Sequence, residues 1–156
     1  MIIEAELVDV LKKNKLIITT AESCTGGMIA SRIVNVPGAS AVFKQGYITY
    51  CDEAKINMLH VRKETIEEYY AVSAQTAKEM ASGGARAADA DVCIAVTGVA
   101  GPDKEDGKPV GLVYIGLYIC GKTYVNEYNF DGDRMQIRNQ ACQNALIMAL
   151  ESIKKI

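Results

Sequence analysis

Residues 91–98 read Asp-Val-Cys-Ile-Ala-Val-Thr-Gly, an apolar run of strand length in which no polar residue alternates. A strand with one wet face alternates apolar and polar side chains. A run that stays apolar from Val92 to Val96 suits a central strand covered on both faces. That segment favours a sheet built into an α/β domain.

The rest of the chain fits around it. Ile3, Leu7, Val10 and Leu11 recur at helical spacing, which predicts a helix over 3–14. "KLIITTA" (15–21) is a short β-branched strand. Gly26 and Gly27 open a second helix that ends before Pro37-Gly38. "AVFKQGYITY" (41–50) reads as a strand, after which Asp52 caps a helix over 53–59. A short helix is expected over 63–70, and Ser73 caps a longer one over 74–88, with Ala77, Met80, Ala81 and Gly84 on its packed face. "GVAGPDKEDGKPV" is a loop rich in glycine, proline and charge. Two strand-like runs then flank Gly121-Lys122, and glycine first in a two-residue loop fits a type II′ hairpin. Asp131 or Asp133 caps a last helix with a stripe of Ile137, Ala141, Ala145, Ala149 and Ile153. The expectation is one α/β domain with a mixed sheet, early strands joined through helices and a hairpin near the end.

Composition narrows the function. The chain has 156 residues, 49% apolar and 23% charged, as in a folded soluble domain. Its net charge of -2 gives no case for nucleic-acid binding. Cys24, Cys51, Cys93, Cys120 and Cys142 are odd in number and form no C-x-x-C pair, which argues against a disulfide framework and a zinc–thiolate site. His60 is the one histidine, so a histidine-rich metal site is excluded within one chain. No leader or membrane-spanning run stands at the N-terminus, and a reducing cytoplasm is the expected compartment.

Four stretches could carry chemistry. In "TAESCTGG" a strand passes into a helix through Ser23, Cys24, Thr25, Gly26 and Gly27. Such a turn can expose a nucleophile beside helix N-terminal N–H groups that hold an anion, and it can equally be an ordinary helix start. In "YITYCDEAK", Lys55 falls in the first turn of its helix, where the dipole disfavours a cation. It is either a lysine with a lowered pKa, suited to act as a base, or a solvated one paired with Asp52 or Glu53. In "VTGVAGP", Thr97 and Gly98 end the apolar strand, and ligands of open α/β sheets bind at such strand ends. In "DGDRMQIR", Arg134 and Arg138 lie one turn apart at a helix start, where a phosphate, a carboxylate or the neighbouring aspartates would balance them. A serine nucleophile ordinarily needs a histidine. His60 has no supporting spacing toward Ser23 or Cys24, whereas lysine can replace histidine as the base.

At this point a resemblance emerges. "TAESCTGGMIASRIVNVPGASAVFKQGYITYCDEAK", "AVSAQTAKEMASGGARAADADVCIAVTGVAGPDKEDGKPVGLVYIGL" and "FDGDRMQIRNQA" closely resemble the C-terminal domain of the CinA (competence/damage-inducible protein) family, in order and over nearly the whole chain. The resemblance implies a three-layer α/β/α domain over residues 1–156, with a mixed, mostly parallel sheet and a late hairpin. It implies metal-independent, cofactor-free hydrolysis of the carboxamide of nicotinamide mononucleotide to the acid and ammonia. Ser23 would be the nucleophile and Lys55 the base, with Tyr50, Thr97 and Arg134 in the site. Thr25, Gly26, Gly27, Gly98 and Arg138 would bind substrate, Gly26 and Gly27 through an oxyanion-holding turn.

Two departures stand out. Cys51-Asp52 replaces the usual Ser-Asn before Glu-Ala-Lys, which puts a negative charge near Lys55. The length leaves no room for the molybdopterin-binding-like domain of many members, so the expectation is a stand-alone amidase without pyrophosphatase activity. The partners expected are a small nucleotide substrate and identical subunits, with no nucleic acid and no membrane. The alternatives are a non-catalytic nucleotide-binding module and a cysteine hydrolase using Cys24.

Overall fold

The computed structural model describes residues 2–156. Along the chain run α1 (Ile3–Asn14), β1 (Ile18–Glu22), α2 (Met28–Val34), β2 (Tyr47–Ile48), α3 (Asp52–Leu59), α4 (Lys63–Tyr69), α5 (Ala74–Ala88), β3 (Val92–Gly98), β4 (Leu112–Ile119), β5 (Lys122–Asn129) and α6 (Arg134–Ile153). The strands form one sheet in the order β2-β1-β3-β4-β5. β1 pairs in parallel with β2 and β3, whereas β4 pairs antiparallel with β3 and with β5. Four of the five strands therefore point the same way and only β4 runs against them. The pairings divide evenly between the two kinds, giving the mixed sheet expected.

β3 sits at the centre, and its two sets of side chains enter different cores. Val92, Ile94 and Val96 pack with Leu7, Ile29 and Ile137 of α1, α2 and α6. Cys93 and Ala95 pack with Leu59, Ile66 and Met80 of α3, α4 and α5. Helices thus cover both faces, which is why the run at 91–98 never alternates. The small side chains of α5 let it press close to the sheet. A Cβ at Gly116 of β4 would lie 2.6 Å from the Ala77 carbonyl oxygen, and one at Gly84 would lie 2.7 Å from Cys93 Sγ.

Local signals fared unevenly. Ser73 accepts the Thr76 N–H and caps α5, and Asp133 forms a reciprocal capping box with Gln136 at the start of α6. The α6 stripe is buried as expected. Three expectations need correction. The strand expected over 41–50 is reduced to Tyr47–Ile48, with a 3₁₀ turn at Ala39–Ala41 and a single bridge from Phe43 to Ile18. At the far edge of the sheet only two residues find a partner strand, so propensity there goes unused. Asp52 lies inside α3, and Cys51 holds the cap position with no side-chain bond. The hairpin turn falls at Cys120-Gly121, because Ile119 pairs with Lys122. Both turn residues have positive φ, 46° and 93°, which is type I′ and not II′.

Candidate active site

The three parallel strands deliver their C-terminal ends to one edge. Ser23 follows β1, Tyr50 follows β2, and Thr97 and Gly98 end β3. A cleft opens there, lined by Ser23, Tyr50, Lys55, Thr97, Gly98 and Arg134 among others. This is where open α/β sheets bind ligands.

Ser23 is fixed by its own N–H, which donates to the Val96 carbonyl at 3.0 Å. Lys55 reaches it from the first turn of α3. Its Nζ lies 3.1 Å from Ser23 Oγ and donates to the Thr49 carbonyl at 2.8 Å. Lys55 is only 2% exposed and has no carboxylate within ion-pair distance among the described residues. Burial pushes its pKa below the usual lysine value, and the nearby negative charge of Asp52, then the groups at Cys51 and Glu105, oppose that shift. An amine in the neutral form donates to Thr49 and keeps its lone pair for the Ser23 hydroxyl proton. The arrangement sets a hydroxyl within hydrogen-bond reach of a buried amine, a pairing that can serve as nucleophile and general base.

The charge that lies beneath this pair was not singled out from sequence. Glu22, 0% exposed, accepts from Thr25 Oγ1 at 2.7 Å, from the Ile29 N–H at 2.9 Å and from the Ala30 N–H at 3.1 Å. Its carboxylate fills the N-terminus of α2. The Ile29 and Ala30 N–H groups are therefore not free for a ligand. Of the Thr25, Gly26 and Gly27 N–H groups expected to hold an oxyanion, that of Gly26 is already spent. The Gly26 N–H donates to Ser23 O, and Thr25 turns its hydroxyl inward to Glu22. Thr25, Gly26 and Gly27 do not line the cleft. Among the described residues the N–H groups of Cys24, Thr25 and Gly27 meet no acceptor, and of these three residues Cys24 lines the cleft. Glu22 had a sequence signal: it is the single charge in an otherwise uncharged strand, "ITTAE".

The arginines separate. Arg134 reaches the mouth of the cleft and donates to the Gly101 carbonyl and, at 2.8 Å, to Tyr50 Oη. Arg138 does not line the cleft. It donates from Nε to the Cys24 carbonyl at 2.8 Å and from Nη2 to the Thr25 carbonyl at 3.2 Å, clamping the turn from behind. Its expected substrate contact is therefore replaced by a contact with the turn itself. Tyr50 is 62% exposed at the rim. Thr97 is buried and spends its proton on the Ala71 carbonyl at 2.8 Å, so no hydrogen bond joins it to Ser23 or Lys55. Gly98 is required by crowding, since a Cβ there would lie 2.6 Å from Val113 Cγ2.

Cys24 does not suit the role of a thiolate nucleophile. Burial pushes its pKa up to about 12. His60 is an exposed residue at the end of α3, away from the cleft. The loop at 99–111 brings Asp103 and Glu105 to the cleft, and nothing in its composition foretold that. Among the described residues no three His, Cys, Asp or Glu side chains are grouped to hold a metal ion, and no helix is long and apolar enough to cross a membrane.

Residues 2–153 match the CinA C-terminal domain. The chain belongs to that family. A competence-damage inducible protein of Clostridium botulinum is 49% identical over 154 residues, covering 98% of this chain and 38% of that protein. A CinA-like protein of Kosmotoga olearia is 52% identical over 145 residues, covering 92% of this chain and 35% of its own length. The chain thus spans under two fifths of the curated relatives it matches. Among solved structures, a CinA superfamily protein from Escherichia coli superposes with a TM-score of 0.94 at 38% identity, over 96% of this chain and 88% of that one. One from Agrobacterium tumefaciens superposes with a TM-score of 0.91 at 38% identity, over 97% and 95%. The CinA fold is therefore shared over nearly all of this chain.

Proposed function

We propose that this CinA-family domain hydrolyses the carboxamide of nicotinamide mononucleotide, giving nicotinic acid mononucleotide and ammonia. The observation that carries the reading is the buried Lys55 amine 3.1 Å from the Ser23 hydroxyl, at the C-terminal edge of the sheet. Neutral Lys55 takes the Ser23 proton as Oγ attacks the amide carbon. The developing oxyanion meets the Cys24 N–H. The Lys55 ammonium returns its proton to the departing nitrogen, which leaves as ammonia, and an ester remains on Ser23. Water, deprotonated by Lys55, attacks that ester; Ser23 regains its proton and the acid departs. Arg134 and the Tyr50 phenol, at the mouth, face the ribose phosphate. The Thr97 hydroxyl shapes the wall through its bond to Ala71 and takes no proton in this scheme.

The test is ammonia release from nicotinamide mononucleotide by the wild type beside Ser23→Ala and Lys55→Ala, each checked for folding by circular dichroism. Release that collapses in both variants supports the reading. No release by folded wild type at high enzyme concentration removes it. One observation favours a second reading, a nucleotide-binding module without turnover: Asp52 and Glu105 both act to keep Lys55 protonated. Tight nucleotide binding with no ammonia released would select it.

A further inference from the structure

The cleft carries more negative charge than a site for a phosphorylated substrate would need. Asp52, Asp103 and Glu105 line it, against Arg134 and a Lys55 whose charge is disfavoured by burial. Glu105 is placed there by construction. Its N–H donates to the Lys108 carbonyl, and the Lys108 N–H donates back to the Glu105 carbonyl at 2.8 Å, closing a two-residue turn over Asp106 and Gly107, both of positive φ. The Lys108 ammonium is bound by the carbonyls of Tyr69 and Val72, which pins the turn to the loop before α5. Lys108 itself does not line the cleft. For the base Asp52 and Glu105 are a handicap, since a negative charge near Lys55 favours its protonated form. They do not group tightly enough to hold a metal ion.

Resting on the amidase reading, we infer that Asp52 and Glu105 are specificity residues that recognise a fixed positive charge on the ring bearing the carboxamide. The substrate class is then an N-substituted pyridinium carboxamide, and neutral carboxamides of the same shape are disfavoured. A zwitterion matches the cleft: a cationic ring beside the carboxylates and an anionic phosphate at Arg134. A cation seated between Glu105 and Lys55 also offsets the carboxylates' pull on the amine while substrate is bound. The handicap is thus present in the free enzyme and relieved in the complex.

The test compares nicotinamide mononucleotide with its reduced dihydropyridine form, which keeps ribose, phosphate and carboxamide but loses the ring charge. Wild type and the Asp52→Asn/Glu105→Gln double variant are assayed for ammonia release on both. A change in Lys55 basicity acts on both substrates and cancels in the ratio of kcat/KM values. The expected result is a charged-to-neutral ratio that falls by about tenfold in the double variant. A ratio unchanged within about twofold overturns the inference. The same pair of compounds is titrated calorimetrically into the Ser23→Ala protein with and without the double substitution, so selectivity is read even where turnover is absent. Failure of turnover with charge-selective binding that the double substitution abolishes would sink the amidase reading and keep this one. Turnover with equal binding of both compounds would do the reverse.

Discussion

Two buried charges flank Ser23, and they are treated in opposite ways. Glu22, on the β1 side, meets three donors and completes the N-terminus of α2. Lys55, on the β2–α3 side, has up to three N–H donors but two oxygen partners, neither of them ionised. A buried ion that is fully satisfied stabilises its surroundings and is chemically quiet. A buried ion that is under-satisfied gives up its charge, and a lysine that does so becomes a base. Ser23 thus stands between a fully satisfied carboxylate and an under-satisfied amine.

The largest break in that comparison is Lys55→Met. It should lower ammonia release by at least about 10³-fold, as expected for a base acting in concert with its nucleophile. It should leave the melting temperature equal or higher, because it removes a desolvated amine and fills the space with an apolar chain. A variant that loses activity only by unfolding would break the contrast with Glu22.

Glu22→Ala comes next and acts the other way. Losing a buried acceptor strands the Thr25 hydroxyl and two helix N–H groups, so stability should fall by about 3 kcal/mol in a denaturant titration. Activity in the fraction that remains folded should fall with the order of the turn. A variant as stable as wild type would remove the anchor role.

The pH dependence sharpens the Lys55 side. Its pKa is lower folded than unfolded, so the unfolded chain binds more protons between the folded pKa and the usual 10.5. The penalty for burying Lys55 is full below its folded pKa and is relieved as pH rises through that window. The difference in unfolding free energy between wild type and Lys55→Met should therefore narrow or change in favour of wild type as pH rises. The acid limb of kcat/KM should rise with the same folded pKa. A flat stability difference across that range would place the Lys55 pKa at its ordinary value.

Arg138→Ala, which frees the carbonyls of Cys24 and Thr25, should cost about 1–2 kcal/mol, with kcat affected more than KM. A change in KM alone would return Arg138 to substrate contact. Cys24→Ala is the smallest: its thiol is held protonated, so ammonia release should stay within about threefold of wild type. Loss beyond that would reopen the cysteine reading.

Much of this was legible in one dimension. The central strand announced itself by an apolar run, α6 by its stripe and capping aspartate, α5 by Ser73, because each signal is local and periodic. Ser23 and Lys55 were candidates from their positions at element junctions. The edge strand was overestimated, because a two-residue pairing depends on a neighbour that the sequence of 41–50 does not reveal. The hairpin turn was misplaced by one residue, since register is set by pairing across β4 and β5 and not by the glycine alone.

By itself the sequence determined the α/β layering, the central strand and the chemical candidates: Ser23 and Lys55 at element junctions, and a single histidine with no supporting spacing. Tertiary structure decided which groups meet. Four residues on from Cys51, Lys55 is an ordinary helical lysine until α3 and the end of β1 bury it against Ser23. Arg134 and Arg138 share a helical turn, yet one reaches the cleft and the other clamps the Ser23 turn. Glu22 took the Ile29 and Ala30 N–H groups at the helix N-terminus, where the sequence had left both a ligand site and an ordinary helix start open. Burial and hydrogen-bond partnership fix a group's charge state and direction, and both arise from residues distant in the chain.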